Sequence, residues 1–240
     1  MPLLQLNNVS KSYGALRVTD GLSLSLGRGE ALGIIGPNGA GKTTLFNLIT
    51  GNVRPDSGTV QFQGRDITAL SASQRCHLGI GRSYQVPHPF VGMTVFENVL
   101  VGATFGAGKS EKEGTALALD ALKRTGLLPK ANRLAGTLPL LDRKRLELAR
   151  ALATQPDLLL LDEIAGGLTE HEVAELIESI QDIRASGTSI IWIEHIVHAL
   201  LAVVDQLLVI NFGKLLVHGN PAEVMASTEV QEIYLGMAVE

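Results

Sequence analysis

Short apolar runs alternate with amphipathic segments along this sequence, and the two patterns predict different elements. Residues 31–35 and 158–161 are continuously apolar, which is typical of strands buried on both faces of a parallel sheet. Residues 21–26 alternate leucine with small or polar residues, as a half-buried strand does. Residues 173–183 place apolar side chains on one helical face, directly after a capping box at 169–172. Because strands alternate with helices, the pattern predicts an α/β fold.

The middle of the chain has a different pattern. Between about 71 and 154, polar and small residues dominate and helical periodicity replaces the apolar runs. We therefore expect a mostly helical lobe, set into an α/β core formed by residues 1–70 and 155–240. The 240 residues suit a single domain, because one core stops growing at roughly 250–300 residues.

Composition excludes several classes of protein. Twenty basic against twenty-four acidic residues give a net charge of −4, whereas nucleic-acid binders show a basic excess or stripe. The single cysteine, Cys76, excludes an internal disulfide and fits a reducing compartment. Polar residues such as Glu194 and Asp205 interrupt the most apolar region, 190–212, so no membrane span is expected. The first residues have no basic segment followed by an apolar one, so we expect no signal peptide and a cytosolic location.

The most specific motif is GPNGAGKTT at 36–44, preceded by a buried strand and followed by a helical segment. In such a loop, backbone N–H groups and a helix N-terminus point at a triphosphate. Lys42 reaches the β- and γ-phosphates, and Thr43 supplies a hydroxyl to Mg²⁺. The alternative is an ordinary glycine-rich turn. The predicted nucleotide-binding residues of this loop are Gly36, Pro37, Asn38, Gly39, Ala40, Gly41, Lys42, Thr43 and Thr44.

Two carboxylates, Asp162 and Glu163, follow the apolar run at 158–161. They are therefore expected at the carboxyl end of a buried strand, which is where open α/β sheets bind ligands. Asp162 suits the coordination shell of Mg²⁺, and Glu163 suits a general base that orients an attacking water. The alternative is an acidic strand end at the surface.

With both motifs in this order, the chain resembles the ATP-binding subunits of ABC transporters over nearly its whole length. The resemblance implies a P-loop NTPase core of the ABC ATPase type, with an antiparallel β subdomain, a helical subdomain, and ATP and Mg²⁺ as ligands. It further implies that Tyr13 stacks on adenine and that His195 contacts the γ-phosphate, making His195, Glu163 and Lys42 the catalytic set. Gln85 is implied to touch Mg²⁺ and to link to the membrane subunits. Taken alone, Tyr13 fits a packing residue, Gln85 a surface residue and His195 a core histidine.

A narrower resemblance, to the subunits that serve branched-chain amino acid importers, covers the segments 36–51, 54–58, 64–68, 93–99 and 208–213. It implies two transmembrane permeases and a second ATPase subunit as partners, and indirectly a solute-binding protein. It also implies a peripheral location on the cytoplasmic face of the inner (plasma) membrane. The transported solute stays open among amino acids, amides, urea and small aromatic acids.

One segment departs from the family pattern. Where the family has its LSGGQ or LSYGQ motif, this chain has Leu138-Pro139-Leu140-Leu141-Asp142. Pro139 offers neither a hydroxyl nor an N–H group, and the two leucines add bulk where a close backbone approach is needed. Asp142 is expected to bring a negative charge toward phosphate. Since this motif serves the nucleotide of the opposite subunit, we expect a heterodimer with one good and one poor ATP site.

Two other functions compete with transport. A non-transport ABC ATPase, of a DNA-repair or ribosome-associated type, would carry a coiled-coil insertion or a second ATPase domain, and neither is visible in the sequence. A gating subunit that binds ATP but hydrolyses little is favoured by the altered segment at 138–142. Glu163 and His195 argue against it.

Overall fold

The computed structural model describes residues 1–235 and divides the chain into two compact units. The first unit is Met1–Ala72 together with the chain from Ile191 onward, and the second is Ser73–Ile190. The helices and strands in chain order are β1 (Leu4–Tyr13), β2 (Leu16–Leu26), β3 (Ala31–Ile35), α1 (Lys42–Thr50), β4 (Ser57–Phe62), β5 (Arg65–Asp66), α2 (Ala72–His77), β6 (Ile80–Arg82), α3 (Val95–Val101), α4 (Glu111–Arg124), α5 (Leu140–Leu152), β7 (Leu158–Asp162), α6 (Glu170–Ala185), β8 (Ser189–Ile193), α7 (Val197–Leu201), β9 (Gln206–Asn211), β10 (Lys214–Gly219), α8 (Pro221–Ala226) and α9 (Thr228–Leu235).

The first unit contains an antiparallel sheet with the strand order β2-β1-β4-β5. Leu4 of β1 pairs with Leu26 on one side and with Phe62 on the other, and all three side chains are buried. In the same unit β3 runs parallel to β9, which is itself antiparallel to β10. All five residues of β3 are buried, as the continuous apolar run predicted.

The second unit combines the central helices with two parallel strands. Ile80 of β6 pairs with Leu158 of β7, and the backbone N–H of Ser83 extends this pairing by donating to Leu160 O at 2.9 Å. The predicted capping box is present, because the Thr169 hydroxyl accepts from the backbone of Glu172 at the start of α6. Helices α3 and α4 begin with capping boxes of the same kind.

The predicted α/β fold is confirmed, with one difference in the middle of the chain. Strand β6 lies inside the segment expected to be mostly helical. Its three residues are too few to show a periodicity, and its central Gly81 lets the strand lie close to Pro156, 3.1 Å from where a Cβ would be. The division into a core and a lobe spanning about 71–154 stays a prediction, and residues 236–240 lie outside the described part of the chain.

Candidate functional site

The segment between β3 and α1 forms a glycine-rich loop that ends in the first turn of the helix. Gly41 is the N-cap of α1 and has φ 102°, a conformation that favours glycine. A Cβ at Gly41 would lie 2.5 Å from the carbonyl oxygen of Val18. A Cβ at Gly36 would collide with the carbonyl oxygen of Ile210. The loop therefore lies directly against the backbone of neighbouring strands, and no larger residue fits at either position.

Lys42 lies inside this loop. Its side chain is buried, and Nζ donates to Gly36 O at 2.7 Å and to Pro37 O at 3.1 Å. Helix α1 has no side-chain cap and no acidic residue in its first turn, so the positive end of the helix dipole meets no carboxylate of its own helix. Thr43, in the same turn, is exposed. A cation, a helix N-terminus and an exposed hydroxyl together suit a phosphate group with its metal.

The turn between β9 and β10 holds the loop from another side. The N–H of Gly213 donates to Ala40 O at 3.0 Å, while the N–H of Asp20 donates to Gly213 O at 2.9 Å. Gly213 has φ 75°, and a Cβ there would collide with a backbone oxygen of β2. Hydrogen bonds from Arg17 and then Lys214 hold the pKa of the Asp20 carboxyl below its ordinary value. We call these two hydrogen bonds through Gly213 the brace of the loop. They fix the middle of the loop through residues that are far away in the sequence.

Two other predicted residues lie in the first unit with exposed side chains. Tyr13 ends β1 with 49% of its surface exposed, and the Lys11 ammonium lies 5.7 Å from the centre of its ring. His195 follows β8 and is exposed, so it is not a core histidine. Its backbone N–H donates to the buried carboxylate of Glu194 at 2.9 Å, which fixes the backbone at this point.

The two acids at the end of β7 are both held by side chains of the second unit. Asp162 is buried, and its Oδ2 accepts from Arg82 Nη2 at 2.7 Å. Glu163 has φ 47°, a left-handed conformation that is strained for a residue other than glycine. Its Oε2 accepts from Gln85 Nε2 at 2.7 Å. The structure therefore brings Gln85 together with Glu163, as a contact between the two side chains.

The chemistry of the predicted ligands fits Mg²⁺. Thr43, Gln85 and Asp162 offer a hydroxyl, an amide and a carboxylate oxygen, and Mg²⁺ prefers oxygen ligands. Within residues 1–235, no group of three or more His, Cys, Asp or Glu could hold a metal ion.

Comparison with known proteins decides the family. The profile described as ABC transporter matches residues 19–166. The high-affinity branched-chain amino acid transport ATP-binding protein LivG of Salmonella typhimurium is 37% identical, with 99% of each chain covered. The chain belongs to the ABC transporter family. The lipopolysaccharide export system ATP-binding protein LptB of Acidithiobacillus ferridurans is also 37% identical, with 98% of this chain and 97% of that one covered.

Solved ABC structures agree with the fold. The ADP conformation of MJ1267, described as an ATP-binding cassette of an ABC transporter, matches with a TM-score of 0.89 and 32% identity. The match covers 99% of this chain and 100% of that one. The predicted family, its ATPase fold and the assignment to the ABC ATPases are thereby confirmed. No helix within residues 1–235 is long and apolar enough to cross a membrane.

In this ABC ATPase the segment 138–142, where the family motif was expected, lies at the start of α5. Pro139 is the N-cap and makes no side-chain cap, and Leu140 is 43% exposed. Asp142 is only 2% exposed, and its carboxylate is 2.5 Å from Lys130 Nζ. The expectation that Asp142 brings charge toward a phosphate is therefore wrong. It is the third residue of the helix, and its side chain turns into the second unit, where a lysine neutralises it.

Two functional contacts escaped the sequence analysis. Arg82, the partner of Asp162, lies 80 positions away from it in the chain, so only the pairing of β6 with β7 brings them together. Gly213 lies in the turn between β9 and β10, and nothing local in its Asn-Phe-Gly-Lys sequence indicates a bond to the phosphate loop.

Proposed function

We propose that this chain is the ATP-hydrolysing subunit of an import system for branched-chain amino acids or related small solutes. The observation that carries the ATPase part is the position of Lys42 within a glycine loop at the uncapped N-terminus of α1. The import part is supported by similarity to branched-chain amino acid transport proteins along 99% of the chain.

In this proposal the loop 36–44 binds the phosphates of ATP. Its backbone N–H groups and the Lys42 ammonium contact the β- and γ-phosphates, and Tyr13 stacks its exposed ring on the adenine. Thr43 supplies a hydroxyl oxygen to the Mg²⁺ that accompanies the nucleotide. When bound, Mg²⁺ neutralises charge on the phosphates and so favours transfer of the terminal phosphoryl group.

The acids and His195 carry the chemical step in this proposal. Glu163 is the general base that takes a proton from the attacking water, and His195 contacts the γ-phosphate. Asp162 and Gln85 offer oxygen ligands to Mg²⁺. The hydrogen bond from Gln85 to Glu163 supports a link between the metal ligand and the base, because a movement of one side chain displaces the other.

Membrane permeases are the partners that the second unit suits. The stretch around Gln85 exposes large apolar side chains, namely Tyr84, Val86, Phe90 and Val91. Such a patch on a water-exposed surface supports contact with another protein. We place the chain on the cytoplasmic face of the inner (plasma) membrane, bound to two permeases that receive solute from a solute-binding protein. A net charge of −4 gives no support to nucleic acid as a partner.

A second, different ATPase subunit completes the proposal. In the family, the start of α5 serves the nucleotide of the opposite subunit. Here Pro139 removes a hydroxyl and an N–H group, and Leu140 covers the position with apolar surface. A homodimer would repeat this defect at both ATP sites, whereas a heterodimer would repeat it at only one.

The same segment favours a second candidate function, a gating subunit that binds ATP and turns it over slowly. Reconstitution of the transporter in liposomes distinguishes the two candidate functions. The chain is co-purified with the permeases and second ATPase encoded beside it and is placed in liposomes, where ATP-driven uptake of radiolabelled leucine is measured. Uptake that stops with Glu163→Gln in this chain supports an ATP-hydrolysing importer subunit. Undiminished uptake with that variant favours the gate, and outward transport would contradict import.

A further inference from the structure

A buried ion pair lies at the carboxyl end of β7. Arg82 ends β6, and its register partner on β7 is Leu160, so its side chain reaches the next residues of that strand. Arg82 Nη2 is 2.7 Å from Asp162 Oδ2, and the two side chains are only 7% and 8% exposed. Burying two charges is unfavourable unless they are well paired, so each group depends on the other for its place.

We propose that Arg82 tunes the magnesium site through its charge: it balances the carboxylate of Asp162, so that Mg²⁺ binds only together with the phosphates of ATP. The proposal rests on the proposed role of Asp162 as a metal ligand. A guanidinium beside a carboxylate repels a second cation that approaches the same carboxylate. The negative charge of the nucleotide phosphates offsets this repulsion. Asp162 alone therefore captures Mg²⁺ poorly.

The short segment from Arg82 to Gln85 holds both acids. Arg82 contacts Asp162, and Gln85, three residues later, contacts the next residue, Glu163, at 2.7 Å. The Arg82 guanidinium also lies over the ring of Tyr84, 4.9 Å from its centre, and Tyr84 is exposed. Of this segment Tyr84 and Gln85 are exposed, so a displacement there reaches the metal ligand through Arg82 and the base through Gln85.

The test is the Mg²⁺ dependence of ATP binding to the full chain. Fluorescent ATP is titrated at a series of Mg²⁺ concentrations, with EDTA as the metal-free point. Arg82→Met removes the positive charge and keeps an apolar stem of similar shape. The half-saturating Mg²⁺ concentration is expected to fall about tenfold, because a neighbouring like charge has been removed. Arg82→Lys keeps the charge and is expected to stay close to the unchanged protein.

Thermal unfolding gives a second readout that does not depend on turnover. Arg82→Met leaves Asp162 buried without its cation, so the melting temperature is expected to fall in EDTA and to recover with Mg²⁺ and ATP. Arg145→Met is the matched control, because it breaks another ion pair of the second unit, Arg145 Nη2 to Glu175 Oε2 at 2.6 Å. Its loss of stability is expected to be the same with and without Mg²⁺.

The outcomes separate this inference from the proposed function. An unchanged or raised half-saturating Mg²⁺ concentration in Arg82→Met overturns the inference and leaves a structural ion pair. If Arg82→Met does not fold, Arg82→Gln replaces it, and an unchanged Mg²⁺ dependence there overturns the inference equally. If the unchanged protein binds no ATP at any Mg²⁺ concentration, the proposed function itself fails.

Discussion

The N-termini of α1 and α5 are built in opposite ways. Helix α1 begins after Gly41, has no side-chain cap and no acidic residue in its first turn, and holds Lys42 inside the adjoining loop. Helix α5 begins after Pro139 and carries Asp142 in its first turn, buried and paired with Lys130. In the proposed function both helix starts serve a nucleotide phosphate, one in its own subunit and the other in the opposite one.

The difference shows that a helix N-terminus is not by itself a phosphate site. Donors must be reachable, and no other group nearby should already satisfy them or cover them. At α1, glycines let the backbone approach, whereas α5 begins after a proline and has Leu140, a 43% exposed apolar residue, as its first residue. We therefore expect the chain to be competent toward its own nucleotide and poor toward that of its partner.

The largest expected effect tests the site that the chain provides for its own nucleotide. Glu163→Gln keeps the shape and the hydrogen bonding of the side chain but cannot accept a proton. In the assembled complex, turnover is expected to fall by about 10²–10⁴, the range that general-base catalysis contributes. ATP affinity, measured by calorimetry, should stay within a few-fold of the unchanged protein. A complex that keeps its steady-state ATPase rate would remove Glu163 from the role of base.

The next largest effect tests the start of α5, which we expect to serve the partner's nucleotide poorly. Purified alone, the chain pairs two altered α5 starts with two intact loops, so both sites lack donors. Loss of one donor aimed at transition-state charge typically lowers the rate by about 10²–10³. The chain co-purified with its second ATPase should exceed the chain alone by that factor per intact site. Equal ATPase rates would show that residues 138–142 are competent as they stand.

Several elements of the fold and of the candidate site could be predicted from the sequence, because each depends only on residues that are neighbours in the chain. The loop 36–44 and the acids 162–163 are short motifs beside buried strands, so neighbouring residues alone indicate the chemistry. The capping box at Thr169 is local in the same way. The contact between Lys130 and Asp142 was not predicted. Predicting it requires knowing both which face of α5 carries Asp142 and where the turn Leu128–Lys130 places Lys130.

The contacts that hold the site were also beyond prediction. The bond from Gly213 to Ala40 joins two turns that are far apart in the chain and depends on how β9 lies beside β3. The pairing of Arg82 with Asp162 likewise depends on the register of β6 against β7. These strand pairs are far apart in the chain, so no connecting turn fixes their register and the residues next to each strand do not indicate its partner.

A smaller effect is expected from the phosphate-loop lysine. Lys42→Ala removes the ammonium that lies 2.7 Å from Gly36 O and is proposed to contact the terminal phosphates. Hydrogen bonds to charged groups contribute about 1.5–3 kcal/mol, so the dissociation constant for ATP should rise roughly ten- to a hundredfold. Lys144→Ala in α5 gives the control, since Lys144 is also buried but belongs to the other helix. Equal ATP affinity of Lys42→Ala and the unchanged protein, by calorimetry, would refute the phosphate-loop assignment.

A still smaller effect concerns the brace behind the loop. Gly213→Ala places a Cβ against a carbonyl oxygen of β2 and so shifts the turn that donates to Ala40 O. A displacement of this kind is expected to weaken ATP binding by about tenfold or less. Gly29→Ala is the matched control, because Gly29 has φ 72° against 75° for Gly213 and has no atom within 4 Å of a Cβ. If both variants lose ATP affinity equally, backbone strain and not the brace explains the loss.

The smallest expected effect separates the causes at the start of α5. Pro139→Ser introduces an N-cap hydroxyl, worth about 1 kcal/mol to helix stability. Loss of the proline also raises the conformational entropy of the unfolded chain, which costs about 0.4–1 kcal/mol of stability. Because the two effects oppose each other, the melting temperature should change by no more than about 2–4 °C. The ATPase rate of the chain alone should rise less than about threefold, because the exposed Leu140 still adds bulk where glycine would allow a close backbone approach, whereas Leu141 is buried in the core.

Leu140→Gly, added to Pro139→Ser, is the complementary variant, because Leu140 is exposed whereas Leu141 belongs to the core. It restores the donors and the approach together, so its ATPase rate should rise well beyond that of the single change. A purified chain that reaches the rate of the co-purified pair with Pro139→Ser alone would show that the missing hydroxyl and N–H, not the Leu140 side chain, make the start of α5 a poor partner for phosphate. The ion pair of Asp142 and Lys130 should be unaffected by either variant, since neither changes the buried Asp142 carboxylate or the Lys130 ammonium 2.5 Å from it.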